Sequence, residues 1–134
     1  MKTLLVSFLA TIIPLVVVDG TYLFTIGGTF YRNYIGHLMS PSVSFLPVGI
    51  FYLIYTAGIL ALVVLPALKS GQGIGMTFLM GAILGFVAYS AYDLTNQASL
   101  RDWPVIVTIV DIAWGAFVTG TASALAVWIS RSWN

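Results

Sequence analysis

Four apolar stretches constrain this sequence more than any other feature. They cover approximately residues 3–24, 45–68, 74–94 and 104–129. A bilayer core is crossed by about 20 apolar residues in a helix, because a helix satisfies its own backbone hydrogen bonds. A transmembrane β-barrel would instead alternate polar and apolar residues, and the sequence shows no such alternation. The sequence therefore predicts an all-α membrane protein with four transmembrane helices.

The overall composition supports this fold class and excludes several partners. Apolar residues make up 60% of the 134-residue chain and charged residues only 7%, whereas a soluble domain is about 25% charged. So few charges could not cover a surface that faces water, so we expect the lipid bilayer to surround the chain. The net charge of +1 and the lack of a basic run argue against nucleic acid as a partner. Cysteine is absent, which excludes disulfides, thiolate metal ligands and thiol catalysis.

The connections between the apolar stretches are short, which favours a single up-down-up-down bundle over residues 1–134. The longest connection, residues 25–44, mixes aromatic and polar residues between Thr29 and Leu38. This mixture is typical of a short helix at the membrane interface, and we expect one between the first two spans. Ser44 and Asp102 each stand just before an apolar stretch with a proline at its start, so we predict that both cap helices.

The distribution of basic residues predicts the orientation. Because the number of spans is even, both termini should lie on the same side of the membrane. Lys2, Lys69 and Arg131 lie on that side, and Arg32 and Arg101 lie on the other. The positive-inside rule therefore favours cytoplasmic termini. The first stretch ends without the small residues of a cleavage site, and we interpret it as an uncleaved span rather than a signal peptide.

Polar residues are concentrated in one half of the predicted bundle, which we call the outer half because it carries the two longer connections. A rise of about 1.5 Å per residue places Asp19, Asp93 and Asp111 in this half, together with all seven tyrosines. The inner half is almost entirely aliphatic. An ionised aspartate inside a span costs about 2.5–3.5 kcal/mol, so these carboxyl groups should face the bundle interior. The candidates for binding an ion or small ligand are Asp19, Asp93, Asn96, Asp111, His37, Tyr22, Tyr89, Tyr92 and Trp114.

Each candidate also has a purely structural interpretation. Asp93 could simply end the third span near the interface, and a single histidine in a connection is more often structural than a ligand. Asp19 and Asp111 could serve only to hold the helices together through hydrogen bonds. Gly81 and Gly85 form a GxxxG pair, which permits close helix approach but is weak evidence for any particular dimer.

Six short segments, spread over nearly the whole chain, form a specific combination. They are Val18-Asp19-Gly20, Gly36-His37-Leu38, Leu65-Pro66-Ala67-Leu68, Tyr92-Asp93-Leu94-Thr95-Asn96, Trp103-Pro104 and Val110-Asp111-Ile112-Ala113-Trp114-Gly115. In this order they resemble a family of small bacterial four-helix membrane proteins catalogued as domain of unknown function 2177. The resemblance implies the four-helix fold and a location in the bacterial inner membrane. It implies no reaction, substrate or cofactor.

Three functions stay open on the sequence alone. The first is a transporter in which intramembrane acids exchange protons or cations, and four short helices enclose so little space that it would form a homodimer. The second is an enzyme acting on a lipid or apolar substrate, with His37 and carboxylates as acid and base or as ligands of Mn, Fe or Zn. The third is an accessory subunit that holds a pigment, quinone or lipid, or docks on a larger membrane complex. The sequence assigns no catalytic residue, metal or cofactor, and we favour ion or small-ligand binding, related to proton-coupled transport.

Overall fold

The computed structural model describes residues 1–133 and is helical over most of its length. Within these residues four helical segments are long and apolar enough to cross a membrane, and no strand is present. The segments are Lys2–Leu38, Phe45–Ser70, Ile74–Ser99 and Val105–Trp133. The predicted all-α membrane fold with four spans is therefore confirmed.

The four segments contain six α-helices, because π-helical turns interrupt two of the segments within the described chain. The elements are α1 (Lys2–Tyr22), a first π turn (Leu23–Gly27), α2 (Gly28–Ile35), a 3₁₀ turn (Gly36–Leu38), α3 (Phe45–Ile59), a second π turn (Leu60–Val64), α4 (Leu65–Ser70), α5 (Ile74–Ser99) and α6 (Val105–Trp133).

The first segment is longer than the apolar pattern predicts. The connection between the first two spans is helical as far as Leu38, and within it α2 continues α1 directly through the first π turn. Two glycines allow this continuation. A Cβ atom at Gly27 would lie 2.6 Å from the ring of Tyr22, and one at Gly28 would collide with the carbonyl oxygen of Leu23. The turn can therefore pass close to Tyr22 and carry α2 over the outer end of the bundle.

The second segment changes its packing at the second π turn, Leu60–Val64. Pro66 follows this turn, and a proline ring crowds the carbonyl four residues earlier, which here belongs to Leu62. An extra residue in the helical turn relieves that conflict, which accounts for the π geometry. The π turn contacts α1, α5 and α6, whereas α3 packs chiefly against α1. The outer half of the second span is therefore separated from α5 and α6, and a cleft lies between them.

Helices α5 and α6 form the closest contact in the bundle. A Cβ atom at Gly85 would collide with the carbonyl oxygen of Gly115, and one at Gly81 would collide with the hydroxyl of Ser123. The GxxxG pair is therefore used inside one chain, against α6, rather than at a dimer interface. On α6 the facing stripe of small residues, Gly115 and Thr119 among them, is buried.

The inner half contains more buried polar groups than its aliphatic composition suggests. Five small hydroxyl side chains are fully buried there: Ser7, Thr11, Thr77, Ser123 and Ser130. Thr11 donates to the carbonyl of Ser7 at 2.7 Å, and Ser130 donates to the hydroxyl of Ser7 at 3.3 Å, joining α6 to α1. Aliphatic side chains of this half are divided between the core, as Val64 and Val127 are, and the surface of the bundle, as Leu5 and Leu62 are. This arrangement suits a lipid surrounding, where close approach of small residues holds helices together.

The predicted helix caps are not formed. Ser44 occupies the N-cap position of α3, but its side chain makes no capping hydrogen bond to the described residues. Asp102 is not a cap, because α6 begins only at Val105 and the first-turn amide of Val107 bonds to the carbonyl of Pro104. Asp102 instead adopts a left-handed conformation, with φ of 60°. The cap prediction for Asp102 was wrong because the chain turns at this residue before the helix starts.

The inner end of the bundle is closed by Arg131. Its Nη2 atom donates to the carbonyl oxygens of Gln72 at 2.6 Å and Ala67 at 3.3 Å. The Ala67 carbonyl lies in α4 and also accepts from the backbone N–H of Gln72 at 3.0 Å, and the Gln72 carbonyl lies in the tight turn that follows. A cation near a helix C-terminus also interacts favourably with the helix dipole. Arg131 therefore ties the end of the second span to α6.

Replacing Gly85 by alanine should destabilise the α5–α6 contact. The added methyl group collides with backbone rather than with a flexible side chain, so we expect a loss of about 1–3 kcal/mol in the free energy of unfolding. The matched control is Gly75→Ala on the same helix, where a Cβ atom meets nothing within 4 Å. Alanine there should be neutral or stabilising by up to about 1 kcal/mol. Thermal unfolding of the detergent-solubilised variants measures both, and equal effects would contradict the packing.

Candidate functional site

A cleft of about 660 Å³ lies in the outer half of the bundle, where α3 separates from α5 and α6. Its lining comes from five helices and is dominated by aromatic rings. The lining residues are Asp19, Tyr22, Leu23, Tyr31, Pro47, Val48, Phe51, Tyr52, Tyr55, Ala88, Tyr89, Tyr92, Asp111 and Trp114. None of these is a lysine, arginine or histidine, so the two aspartates face the cleft without a cationic side chain beside them.

Asp19 is the central polar residue of the cleft. It is 94% buried on α1, with 6% of its surface exposed. The hydroxyl of Tyr52 on α3 donates to Oδ2 at 2.5 Å, and the indole Nε1 of Trp114 on α6 donates to Oδ1 at 2.8 Å. Both carboxylate oxygens are therefore held, and three helices meet at one side chain. Two donors of this kind lower the cost of keeping the group in a largely apolar environment.

Asp111 lines the same cleft, and a side chain of α2 hydrogen-bonds to it. The hydroxyl of Tyr31 donates to its Oδ1 at 2.6 Å, and the Tyr31 and Tyr22 hydroxyls lie 3.2 Å apart. The ring of Tyr22 stacks on Trp114, with the ring centroids 3.9 Å apart and the planes 15° from parallel. A continuous set of contacts thus runs from Asp111 through two tyrosines to the indole that holds Asp19.

The floor of the cleft is formed by two tyrosines. The hydroxyl of Tyr55 is 2.6 Å from the hydroxyl of Thr119, which closes the gap between α3 and α6. The ring of Tyr89 lies directly over Gly115, where any Cβ atom would collide with it. The Tyr55 and Tyr89 rings meet edge to face, with their centroids 6.3 Å apart. No residue of the inner half lines the cleft, so it occupies only the outer half.

Asp93 does not join the other two aspartates in this cleft. It lines a second cavity of about 280 Å³, beside Trp103 and Met39 of the outer connections. Tyr31, Tyr92 and Asp111 border both cavities, so the two are adjacent. Asp93 is fully buried, and neither of its oxygens has a hydrogen-bond partner among residues 1–133.

Two of the candidates predicted from the sequence lie outside both cavities. His37 is half-exposed at the outer end, with its Nε2 atom 3.7 Å from a carboxylate oxygen of Asp102. Asn96 is half-buried near the outer end of α5 and lines neither cavity. The cleft does bring together six of the candidates: Asp19, Tyr22, Tyr89, Tyr92, Asp111 and Trp114. In the part of the chain that the structure describes, no three histidine, cysteine, aspartate or glutamate residues lie close enough to hold a metal ion.

Three tyrosines of the cleft were not among the predicted site residues. Tyr52 and Tyr55 lie three residues apart on one face of α3, a spacing that a helix brings together. That spacing was a usable signal, because both could have been matched to the acids of the other spans. Tyr31 gave no such signal, since its position over Asp111 depends on the continuation of α1 into α2.

A family model described as "Predicted membrane protein (DUF2177)" matches residues 4–128. The chain belongs to this family. Membership in DUF2177 confirms the resemblance found in the sequence and agrees with the four candidate spans. No curated protein and no solved structure matches the chain. The DUF2177 description names no ligand or reaction, so the function of the cleft follows only from its own geometry.

Replacing Tyr31 by phenylalanine should destabilise the outer end of the bundle. The change removes the donor to the part-buried Asp111 without changing the ring, and we expect a loss of about 1 kcal/mol in the free energy of unfolding, the lower end of the cost of an unpaired acceptor. Tyr34→Phe on the same helix is the matched control, because the Tyr34 hydroxyl makes no hydrogen bond with the described residues and its side chain is 44% exposed. Unfolding in sodium dodecyl sulfate, followed by tryptophan fluorescence, gives both values. A Tyr31→Phe protein as stable as the Tyr34→Phe protein would contradict the assigned hydrogen bond.

Proposed function

We propose that this protein binds a small organic cation in the outer-half cleft. The observation that carries the proposal is the pairing of two aspartates with a wall of aromatic rings and with no cationic side chain in the lining. The positive charge that would balance this site is then supplied by the ligand.

The size of the cleft favours an organic ligand. Its volume of about 660 Å³ falls within the range of about 300–1,000 Å³ that is usual for sites of small organic molecules. A bare metal ion would leave most of this volume empty. The walls are mainly rings and aliphatic side chains, and Asp19 and Asp111 supply the only carboxyl groups of the lining. A ligand with an apolar body and one charged group matches that division.

The charge of the cleft favours a cation over an anion or a neutral ligand. Ionised carboxylates can only accept hydrogen bonds, and here they attract positive groups. Aromatic faces also attract cations, by about 0.5–2 kcal/mol depending on how far the cation is desolvated. Tyr22, Tyr89 and Trp114 present such rings beside Asp19 and Asp111. An anion would face two like charges and no basic group.

The cleft is placed where a lipid-soluble ligand could reach it. Phe51 and Val48 on α3 line it while 42% and 37% of their respective surfaces are exposed on the side of the bundle. We therefore propose entry from the hydrocarbon, past α3. The wider role that we propose is proton-coupled transport across a bacterial inner membrane, with cytoplasmic termini. Because the cleft reaches only the outer half, a second copy or a larger complex would complete the passage.

The alternative functions gain less support from the geometry. An enzyme that uses His37 with the aspartates would need that histidine in the cleft, and it lies at the outer end beside Asp102. A metal-dependent version would need a cluster of ligands, which the described residues do not form. A ligand-binding accessory subunit would use the same cleft, so direct binding is the property to measure first.

Tetraphenylphosphonium should bind the protein in lipid nanodiscs, and tetraphenylborate should not. The two ions have nearly the same shape and opposite charges, so the comparison isolates the sign of the charge. Equilibrium dialysis with empty nanodiscs subtracted measures binding to the protein alone. Comparable binding of the two ions would contradict the proposal.

Asp19→Asn and Asp111→Asn should each weaken tetraphenylphosphonium binding by about tenfold or more, which corresponds to about 1.4 kcal/mol. Asp102→Asn is the matched control, because Asp102 is 77% exposed and lies outside both cavities. Its affinity should equal that of the unmodified protein. A similar loss in all three variants would point to a general charge effect instead of the cleft.

A further inference from the structure

Among the described residues, Asp93 is the one buried acid that has neither a hydrogen-bond donor nor a cationic side chain beside its carboxyl group. Its side chain is fully buried on α5, and neither carboxyl oxygen receives a hydrogen bond from residues 1–133. By contrast, Asp19 has two donors and Asp111 has one. A buried carboxylate without a donor or a cation is costly, so the unpaired state of Asp93 requires an explanation.

Asp93 and Asp111 line the same second cavity, and their carboxyl groups interact electrostatically. Two ionised carboxylates cannot hydrogen-bond to each other, because both are acceptors only. A single proton between them supplies the missing donor and removes one of the two like charges. Two carboxyl groups that share a site hold one proton in this way in other proteins.

Apart from the proton, no group around Asp93 and Asp111 supplies a positive charge to balance their carboxylates. Tyr31 faces it from α2 and Tyr92 from α5, and both are phenols that are neutral near pH 7. The remaining lining is Ile35, Met39, Trp103 and Val107. Asp19 and Tyr22 lie on the neighbouring cleft and add no positive charge. None of the lysines, arginines or the histidine of the described chain lines either cavity.

We propose that Asp93 and Asp111 share one exchangeable proton, and that an organic cation bound in the cleft beside Asp111 displaces it. The second half rests on the cation binding proposed above. Asp111 borders both cavities, so a positive charge on the cleft side replaces the proton as its counter-charge. The proton then leaves through the second cavity, which reaches the outer connections at Met39 and Trp103. One positive charge enters as another departs, which is the exchange that a proton-coupled carrier needs.

A proton fits this pair better than a metal ion does. Ca²⁺ takes six to eight oxygen ligands, and Mg²⁺ keeps several waters in an octahedral arrangement. The second cavity offers side-chain oxygens from only Asp93, Asp111, Tyr31 and Tyr92, and Tyr31 is already bonded to Asp111. A proton needs no further ligands and fits a fully buried carboxyl group.

Infrared difference spectroscopy of the protein in nanodiscs tests the shared proton without any ligand. We expect the unmodified protein at neutral pH to show the carbonyl band of a protonated carboxylic acid, shifted in deuterium oxide. Asp93→Asn, which keeps the shape of the side chain, should lose this band. Absence of the band from the unmodified protein, or its persistence in Asp93→Asn, would overturn the proposal. Removal of the band by Na⁺ alone at constant pH would also overturn it, because the occupant would then be a metal cation.

Proton release on ligand binding tests the coupling. Tetraphenylphosphonium added to the unmodified protein in weak buffer should release about one proton per bound ion, as reciprocal linkage requires. Asp93→Asn should still bind the ion in the cleft but release none. Asp111→Asn should keep the carboxylic-acid band on Asp93, and the band should no longer respond to the ion.

The two measurements separate the two proposals. If tetraphenylphosphonium does not bind the unmodified protein, the cation-binding function and its coupling both fail, and the infrared band alone decides the shared proton. If the ion binds but Asp93→Asn releases as many protons as the unmodified protein, the coupling fails while the cation site stands.

Discussion

The outer half of this structure depends on the hydrogen bonds that the carboxylate of Asp19 accepts. That carboxylate lies on α1 and receives hydrogen bonds from Tyr52 on α3 and Trp114 on α6. Side-chain hydrogen bonds are among the few directional forces available between helices in a bilayer, where lipid and side chains are equally apolar. One acid therefore joins three helices and fixes the position of the aromatic wall. The side chains of Tyr52 and Trp114 that contact Asp19 line the cleft and leave its interior open.

The two halves of the bundle are held together in different ways. The inner half relies on small residues and short hydroxyl side chains, such as the Gly81–Ser123 approach and the Ser7–Ser130 contact. In the outer half α3 diverges beyond its π turn, and longer aromatic side chains span the larger distance. The change from small residues to tyrosines along the helices thus follows the change in helix separation.

Asp19 and Asp93 differ in the hydrogen-bond donors around them, and the proposed function depends on that difference. Asp19 receives two hydrogen bonds, and in the function proposed above it is the fixed acid that faces the cation. Asp93 has no donor among the described residues, and in the same proposal it holds the exchangeable proton. Asp111 lies between them and borders both cavities. The same residue type therefore occupies three positions of different chemistry, and the partners that surround each one produce the difference.

The sequence by itself determined the four spans, the antiparallel order and the concentration of acids and tyrosines in one half, because these depend only on hydropathy, segment length and depth along a helix. It also indicated Asp19, Asp111 and Trp114, since polar groups inside a span must face other helices. It did not indicate Tyr31, or the separation of Asp93 from the cleft. Those features depend on the continuation of α1 into α2 and on the divergence of α3 from α5 and α6. Only the tertiary structure decided them: Gly27, Gly28 and Pro66 permit the two π turns, but which helices then approach or separate depends on packing between segments.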